Sequence, residues 1–222
     1  MWGLTGLVLL IGVCVVAQEV QPSSNAGQVA AAEELKPIVL PPAQTEGGKP
    51  LMQALKERKS SREFGTGKLS PQVLSNLLWA AWGMNREDGR RTAPSARNRQ
   101  EIDVYVALAE GLFLYNAKDH RLEPVAKEDL RAATGTQPFV GQAPLNLVYV
   151  ADQAKLGGPD DATASADTGF ISQNVYLYCA SEGLATVVRG LVPRQDLAKA
   201  MKLRPDQKIT LAQTVGYPKK AQ

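Results

Sequence analysis

The stretch from Glu57 to Phe64 reads Glu-Arg-Lys-Ser-Ser-Arg-Glu-Phe and gathers Arg58, Lys59, Ser60 and Arg62 within five residues. Guanidinium forks donate paired N–H bonds, keep their charge at any working pH, and suit the oxygens of a phosphate. Hydroxyls beside them add further donors. A solvated charge run at a helix end is the competing reading, and the residues alone leave both open. Other chemistries have less to work with. The single histidine, His120, stands between Asp119 and Arg121 in a turn, with no cysteine or second histidine to join it. That gives little support to a histidine-based zinc site or a Ser-His-Asp triad, and no metal is expected. Cys14 and Cys179 are too far apart to read as a metal motif, and Cys179 lies in an apolar helical stretch, as a small buried hydrophobe would.

The elements that must position the basic cluster can be read from periodicity and caps. Pro50 opens a short amphipathic helix that closes with Lys56, Glu57 and Arg58. Ser70-Pro71 is a helix cap followed by proline at the first helical position, and Leu74, Leu77, Leu78, Ala81 and Trp82 recur at helical spacing until Gly83. A polar loop covers 84–99. Residues 102–109 alternate as a strand, and 111–116 with 122–125 form a hairpin-like pair. Residues 127–133 read as a short helix and 144–151 as the clearest strand. A helix over about 166–182 ends at Gly183; a strand at 185–188, a helix at 193–201 and a strand at 208–216 complete the chain. Helices and strands that do not alternate regularly predict an α+β fold around one central sheet.

The chain has 222 residues, enough for one good-sized core, and its hydrophobic (44%) and charged (21%) shares are those of a globular protein. A net charge of +3, scattered rather than massed, argues against a nucleic-acid partner. Residues 1–17 carry no charge, and the apolar run 7–16 is too short to span a membrane. It fits an export signal or membrane anchor, with Val15 and Ala17 as small residues ahead of a cut before Gln18. Residues 18–48, rich in Pro, Ala, Gln and Ser, read as a flexible linker with an extended piece at 37–42, and 49–222 as the domain.

Over residues 49–218 the chain resembles the nitroreductase superfamily of flavoproteins, and within it the SagB-type (thiazoline/oxazoline dehydrogenase-like) branch. Arg58-Lys59-Ser60-Ser61-Arg62 is similar to the family's Arg-Arg-Ser-x-Arg signature. Residues Pro94-Ser95-Ala96-Arg97-Asn98-Arg99-Gln100 resemble its Pro-Ser-x-x-Asn-x-Gln loop. Where the family then has proline and an aromatic, this chain has Glu101 and Ile102. Asp167-Thr168-Gly169, Gln173-Asn174 and Glu182-Gly183-Leu184-Ala185-Thr186 resemble the central helix and its turn, and Thr214-Val215-Gly216-Tyr217-Pro218 the last strand.

The resemblance implies a central, mostly antiparallel sheet flanked by helices, an intertwined homodimer, and FMN as cofactor. It assigns Arg58, Ser60 and Arg62, with Lys59, to the FMN phosphate and ribityl chain. Pro94, Ser95 and Asn98 would lie in a loop over flavin bound mainly by the other subunit. The turn at Arg189 and Gly190 would offer a backbone N–H to the flavin edge, and Gln137 a side-chain amide to its pyrimidine. Lys219 or Lys220 would complete the phosphate site. The implied activity is ping-pong transfer of hydride or electrons through FMN, possible donors including NAD(P)H, and the small substrate a nitroaromatic, quinone or heterocycle. No side chain stands out as a catalytic acid or base. Together with the leading segment, this reads as an exported enzyme of the periplasm or cell envelope. The alternative is a non-catalytic exported protein that keeps the fold and binds flavin or another ligand.

Overall fold

Strand β5 (Leu145–Asp152) is buried along its whole length and shows why a central strand reads as an almost unbroken apolar run. Leu145, Leu147, Tyr149 and Ala151 enter one core cluster, while Val148 and Val150 enter the cluster on the opposite face. Alternation therefore survives inside the run, but both faces want apolar groups. The structure, a computed structural model, describes residues 1–3 and 34–220. The remainder of the expected export segment and residues 18–33 of the expected linker lie outside the described residues.

Around β5 the chain lays down a seven-stranded sheet. Its other strands are β1 (Ile38–Val39), β2 (Ile102–Leu108), β3 (Gly111–Asn116), β4 (Arg121–Ala126), β6 (Ala185–Arg189) and β7 (Gln207–Gly216). The order is β1-β4-β3-β2-β5-β7-β6, and every neighbouring pair is antiparallel. The helices are α1 (Leu51–Glu57), α2 (Pro71–Trp82), the one-turn α3 (Gln153–Leu156), α4 (Asp161–Glu182) and α5 (Arg194–Ala200). α2 and α4 share one face of the sheet, with Leu77, Leu78, Ile171 and Val175 in the same cluster as β5. α5 covers the other face through Leu197. Among the described residues no helix is long and apolar enough to cross a membrane.

Three boundaries differ from the reading of the sequence, each for a local reason. The expected linker does not extend to residue 48. Ile38 pairs with Leu122, Leu40 is buried, and the carbonyls of Pro41 and Pro42 accept bonds from Ser75 (2.6 Å) and Gln72 (2.9 Å) of α2. The unit that holds the sheet thus begins at Glu34, and the extended piece expected at 37–42 contains its edge strand. No helix forms over 127–133; only a 3-10 turn at Ala132–Thr134 appears. There Asp129 accepts bonds from the backbone and guanidinium of Arg131, a local contact that competes with helical bonding. α4 starts at Asp161 rather than near 166, because Asp160 accepts from Thr163 N (3.0 Å) and caps a turn that has no apolar periodicity.

The lone histidine has a structural post. His120 Nε2 meets Ser75 Oγ at 2.7 Å and Nδ1 meets Tyr115 Oη at 3.0 Å, tying the β3–β4 turn to α2. Ser75 is fully buried and donates to Pro41 O, so its hydroxyl is engaged in structure and not presented as a nucleophile.

Candidate functional site

α1 ends at Glu57, and residues 58–62 then run extended beside β6, with Ser61 N donating to Thr186 O at 2.9 Å. In extended chain successive side chains point to opposite sides. Lys59, Ser61 and Glu63 line a 590 Å³ pocket together with Thr186 and Lys219, whereas Arg58, Ser60 and Arg62 do not line it. The basic cluster is therefore divided. Tyr176 of α4 is the hinge between its halves. Arg58 Cζ lies 5.2 Å from the Tyr176 ring centre, Ser60 Oγ is 2.8 Å from Tyr176 Oη, and that oxygen also accepts Val188 N–H at 3.0 Å. Sequence reading missed Tyr176, whose helical position looked like core.

The far end of the chain returns to this point. Gly65 N donates to Tyr217 O (2.8 Å), Lys219 N donates to Glu63 O (3.3 Å), and Phe64 and Pro218 form an antiparallel bridge. Lys219 is thereby brought to the same pocket as Lys59. Among the described residues Arg58, Lys59, Arg62 and Lys219 have no carboxylate within ion-pair distance.

At the end of β6 the backbone and side chain of Arg189 part company. The guanidinium is 4% exposed and turns into the sheet, donating to Thr214 Oγ1 (3.0 Å), Thr134 O (2.7 Å), Thr134 Oγ1 (3.2 Å) and Asn146 Oδ1 (3.1 Å). Among the described residues no carboxylate lies within ion-pair distance of it, and burial pulls its pKa down to about 10. Only the backbone here, and the exposed Gly190, remain available to a ligand. Gly135 is glycine by close approach: a Cβ there would sit 2.0 Å from Arg189 Nη1 and 3.2 Å from Gln137 Oε1. Gln137 Oε1 is itself buried with no hydrogen-bond partner among the described residues. A signal for this network existed in the polar residues Asn146 and Thr214 inside apolar strands, which the register makes direct cross-strand partners.

The loop after α2 holds Pro94, exposed, and Ser95, whose Oγ accepts Gln100 N at 3.0 Å. Arg97, Asn98 and Gln100 all have left-handed backbone, with φ of 54°, 54° and 50°. Such conformations are rare outside glycine and persist where surroundings hold them. Here Gln100 Nε2 donates to Gly89 O and Asn98 Oδ1 (both 3.0 Å), and Ala96 N donates to Asp167 Oδ2 of α4 at 2.8 Å. Among the described residues no hydrogen bond or ion pair joins this loop to residues 58–62 of the same chain.

Against known proteins, the nitroreductase family model matches residues 55–217. The chain belongs to the nitroreductase family. A crystal structure of a candidate nitroreductase from Ralstonia eutropha JMP134 is 45% identical, with a TM-score of 0.80 over 83% of this chain and 90% of that one. A candidate nitroreductase of Methanocaldococcus jannaschii is 29% identical over 168 residues, 69% of this chain and 85% of that protein. A candidate nitroreductase from Desulfovibrio desulfuricans, crystallised in complex with FMN, covers 78% of this chain and 89% of its own at 21% identity and TM-score 0.57, and shares the fold. The family membership makes the α+β architecture with its antiparallel sheet the nitroreductase fold, and an oxidoreductase function follows at that level.

Proposed function

We propose that this nitroreductase-family protein is an FMN-dependent oxidoreductase acting on a small organic substrate. One observation carries the reading. Arg58, Lys59, Arg62 and Lys219, none with a carboxylate within ion-pair distance among the described residues, flank residues 58–63 where the chain end returns, Arg58 and Arg62 on the side of the Ser60 hydroxyl and Lys59 and Lys219 on the other. Unpaired like charges repel, and a dianionic phosphate monoester relieves that cost with charge-assisted bonds.

The resemblance gives the Gln137 amide a contact with the flavin pyrimidine; its Oε1 is enclosed by the chain and has no hydrogen-bond partner among the described residues, so that contact would fall to the Nε2 side of the amide. Arg58, Ser60 and Arg62 would hold the phosphate and ribityl chain from one side of the segment, with Lys59 and Lys219 adding positive potential from the other. The exposed backbone at Gly190 is free to donate to the ring edge. When bound, FMN supplies hydride and one-electron chemistry that the side chains lack. The chain's own part is to fix the ring, keep donors aimed at it, and hold positive charge nearby.

Among the described residues the loop carrying Pro94, Ser95 and Asn98 makes no hydrogen bond or ion pair with residues 58–62 of its own chain, which suits a site that two chains of a homodimer share. Leu51 and Met52 of α1 are 63% and 76% exposed, and Phe170 of α4 is 48% exposed, an apolar surface suited to burial against a second copy. The SagB-type assignment, NAD(P)H as donor, a nitroaromatic, quinone or heterocycle as substrate, and a periplasmic or envelope location rest on the resemblance and on the uncharged leading run. Purified full-length protein given FMN and desalted is expected to keep a yellow absorbance near ~450 nm that dithionite bleaches. Light scattering on the same sample is expected to give twice the 23.9 kDa chain mass. A colourless protein after reconstitution would rule out FMN, and a monomeric mass would rule out the shared site.

A further inference from the structure

Glu101, one of the two residues that depart from the family pattern, sits at a position a carboxylate should avoid. Its side chain is fully buried just before β2, and neither oxygen has a hydrogen-bond donor among the described residues. The group beside it is another carboxyl, that of Asp167 on α4, only 3% exposed. Two ionised carboxylates offer each other acceptors and no donor, so both cannot carry charge there at a tolerable cost. The other charged group facing Glu101 is Lys155 of α3, and its ammonium is committed to Asp103 of β2 at 2.9 Å.

The two acids are not equivalent. Asp167 Oδ2 already accepts Ala96 N–H at 2.8 Å, while the Glu101 carboxyl has only its own backbone N–H nearby and no bond of normal geometry among the described residues. The same Asp167 bond fastens the loop in which Arg97, Asn98 and Gln100 hold left-handed backbone. A loop so wound needs a tether, and Asp167 is that tether's anchor.

We propose that Glu101 and Asp167 share one proton, Glu101 donating its carboxyl O–H to the Asp167 carboxylate, and that this proton secures the loop 95–100 against α4. Glu101 is on this view a positioning residue: it orients Asp167, and Asp167 holds the loop. Burial and the neighbouring carboxyl raise the Glu101 pKa from 4.5 to about 7. With the loop open, Glu101 meets water and loses its proton near its ordinary value. The closed form therefore binds one more proton than the open form between about pH 4.5 and 7. Closure is strongest at the acid end of that window, weakens as pH rises through it, and levels off above, the proton passing to solvent.

Hydrogen exchange of the segment 94–100, compared with Glu101→Gln at each pH, isolates this effect from the intrinsic pH dependence of exchange. Glutamine keeps the donor and cannot titrate. The ratio of wild-type to variant exchange rates is expected to be near one at pH 5 and to rise at least about tenfold by pH 8. Asp167→Asn is the second test, since its amide N–H serves an ionised Glu101; relative to it, wild type should show the same rise. A ratio flat from pH 5 to 8 against both variants overturns the shared proton. The effect on cofactor rests additionally on the FMN reading. FMN affinity should fall across the same window in wild type and stay level in Glu101→Gln. A pH-dependent loop with pH-independent FMN affinity keeps the proton lock and removes the loop from the flavin site.

Discussion

Replacing Arg58 and Arg62 together by alanine is expected to weaken FMN binding by about two to four orders of magnitude while leaving the fold intact. Hydrogen bonds to a charged partner contribute about 1.5–3 kcal/mol each, and every 1.4 kcal/mol is roughly tenfold in affinity. The fold should tolerate the change because neither side chain has an ion pair among the described residues, and Arg62 is exposed. Arg58 has its place over the Tyr176 ring, a contact of about 0.5–1 kcal/mol at an accessible position. Flavin fluorescence quenching measures the affinity, and thermal melting of the flavin-free protein checks the fold. The companion double variant Lys59→Ala, Lys219→Ala should cost less, about tenfold, since those ammonium groups line the opposite side of the segment and act through their field. Equal losses from both pairs would mean that the division of the cluster has no bearing on the phosphate. A loss below tenfold from the arginine pair would remove FMN phosphate from this cluster.

Arg189→Ala is expected to have the largest effect on stability, about 3–5 kcal/mol, through a cavity and orphaned acceptors. The opposing term is real: a guanidinium buried without an anion pays a desolvation cost that its lowered pKa records. Hydrogen bonds decide the balance, because four acceptors converge on this one side chain and Thr134 O has no other donor among the described contacts. For a chain of this length each 1 kcal/mol shifts the melting temperature by about 2–4 °C, so a drop on the order of 6–20 °C is expected. Arg189→Met fills much of the volume without donors, and its difference from alanine separates the cavity from the lost bonds. The functional consequence follows from position. Thr134 is the attachment of the segment that carries Gln137, so both variants should also loosen the placement of that amide and weaken FMN binding. A melting temperature unchanged in both would show that the network holds nothing together.

Much of the fold was legible because its signals are local. Ser70-Pro71 marks the start of α2 and Gly183 the end of α4, and caps act through bonds within one turn. The strands were readable from apolar runs, β5 above all. Where reading failed, a local bond or a distant one intervened. Asp129 and Arg131 bound each other instead of building a helical turn. The segment at 34–48 looked like linker because its composition is that of one, and only pairing with β4 and α2 gives it a place.

Composition and order of motifs determined by themselves that the chain is a nitroreductase-type α+β domain with a basic, hydroxyl-bearing segment suited to phosphate. Tertiary structure decided how those residues are used. It put Arg58 and Ser60 on Tyr176 and sent Lys59 to the pocket of Lys219, turned the Arg189 side chain inward, and set Glu101 against Asp167. The reason is physical: propensity and periodicity report on neighbours along the chain, whereas charge, burial and hydrogen bonding at a site depend on partners that sheet register and helix packing bring from tens of residues away.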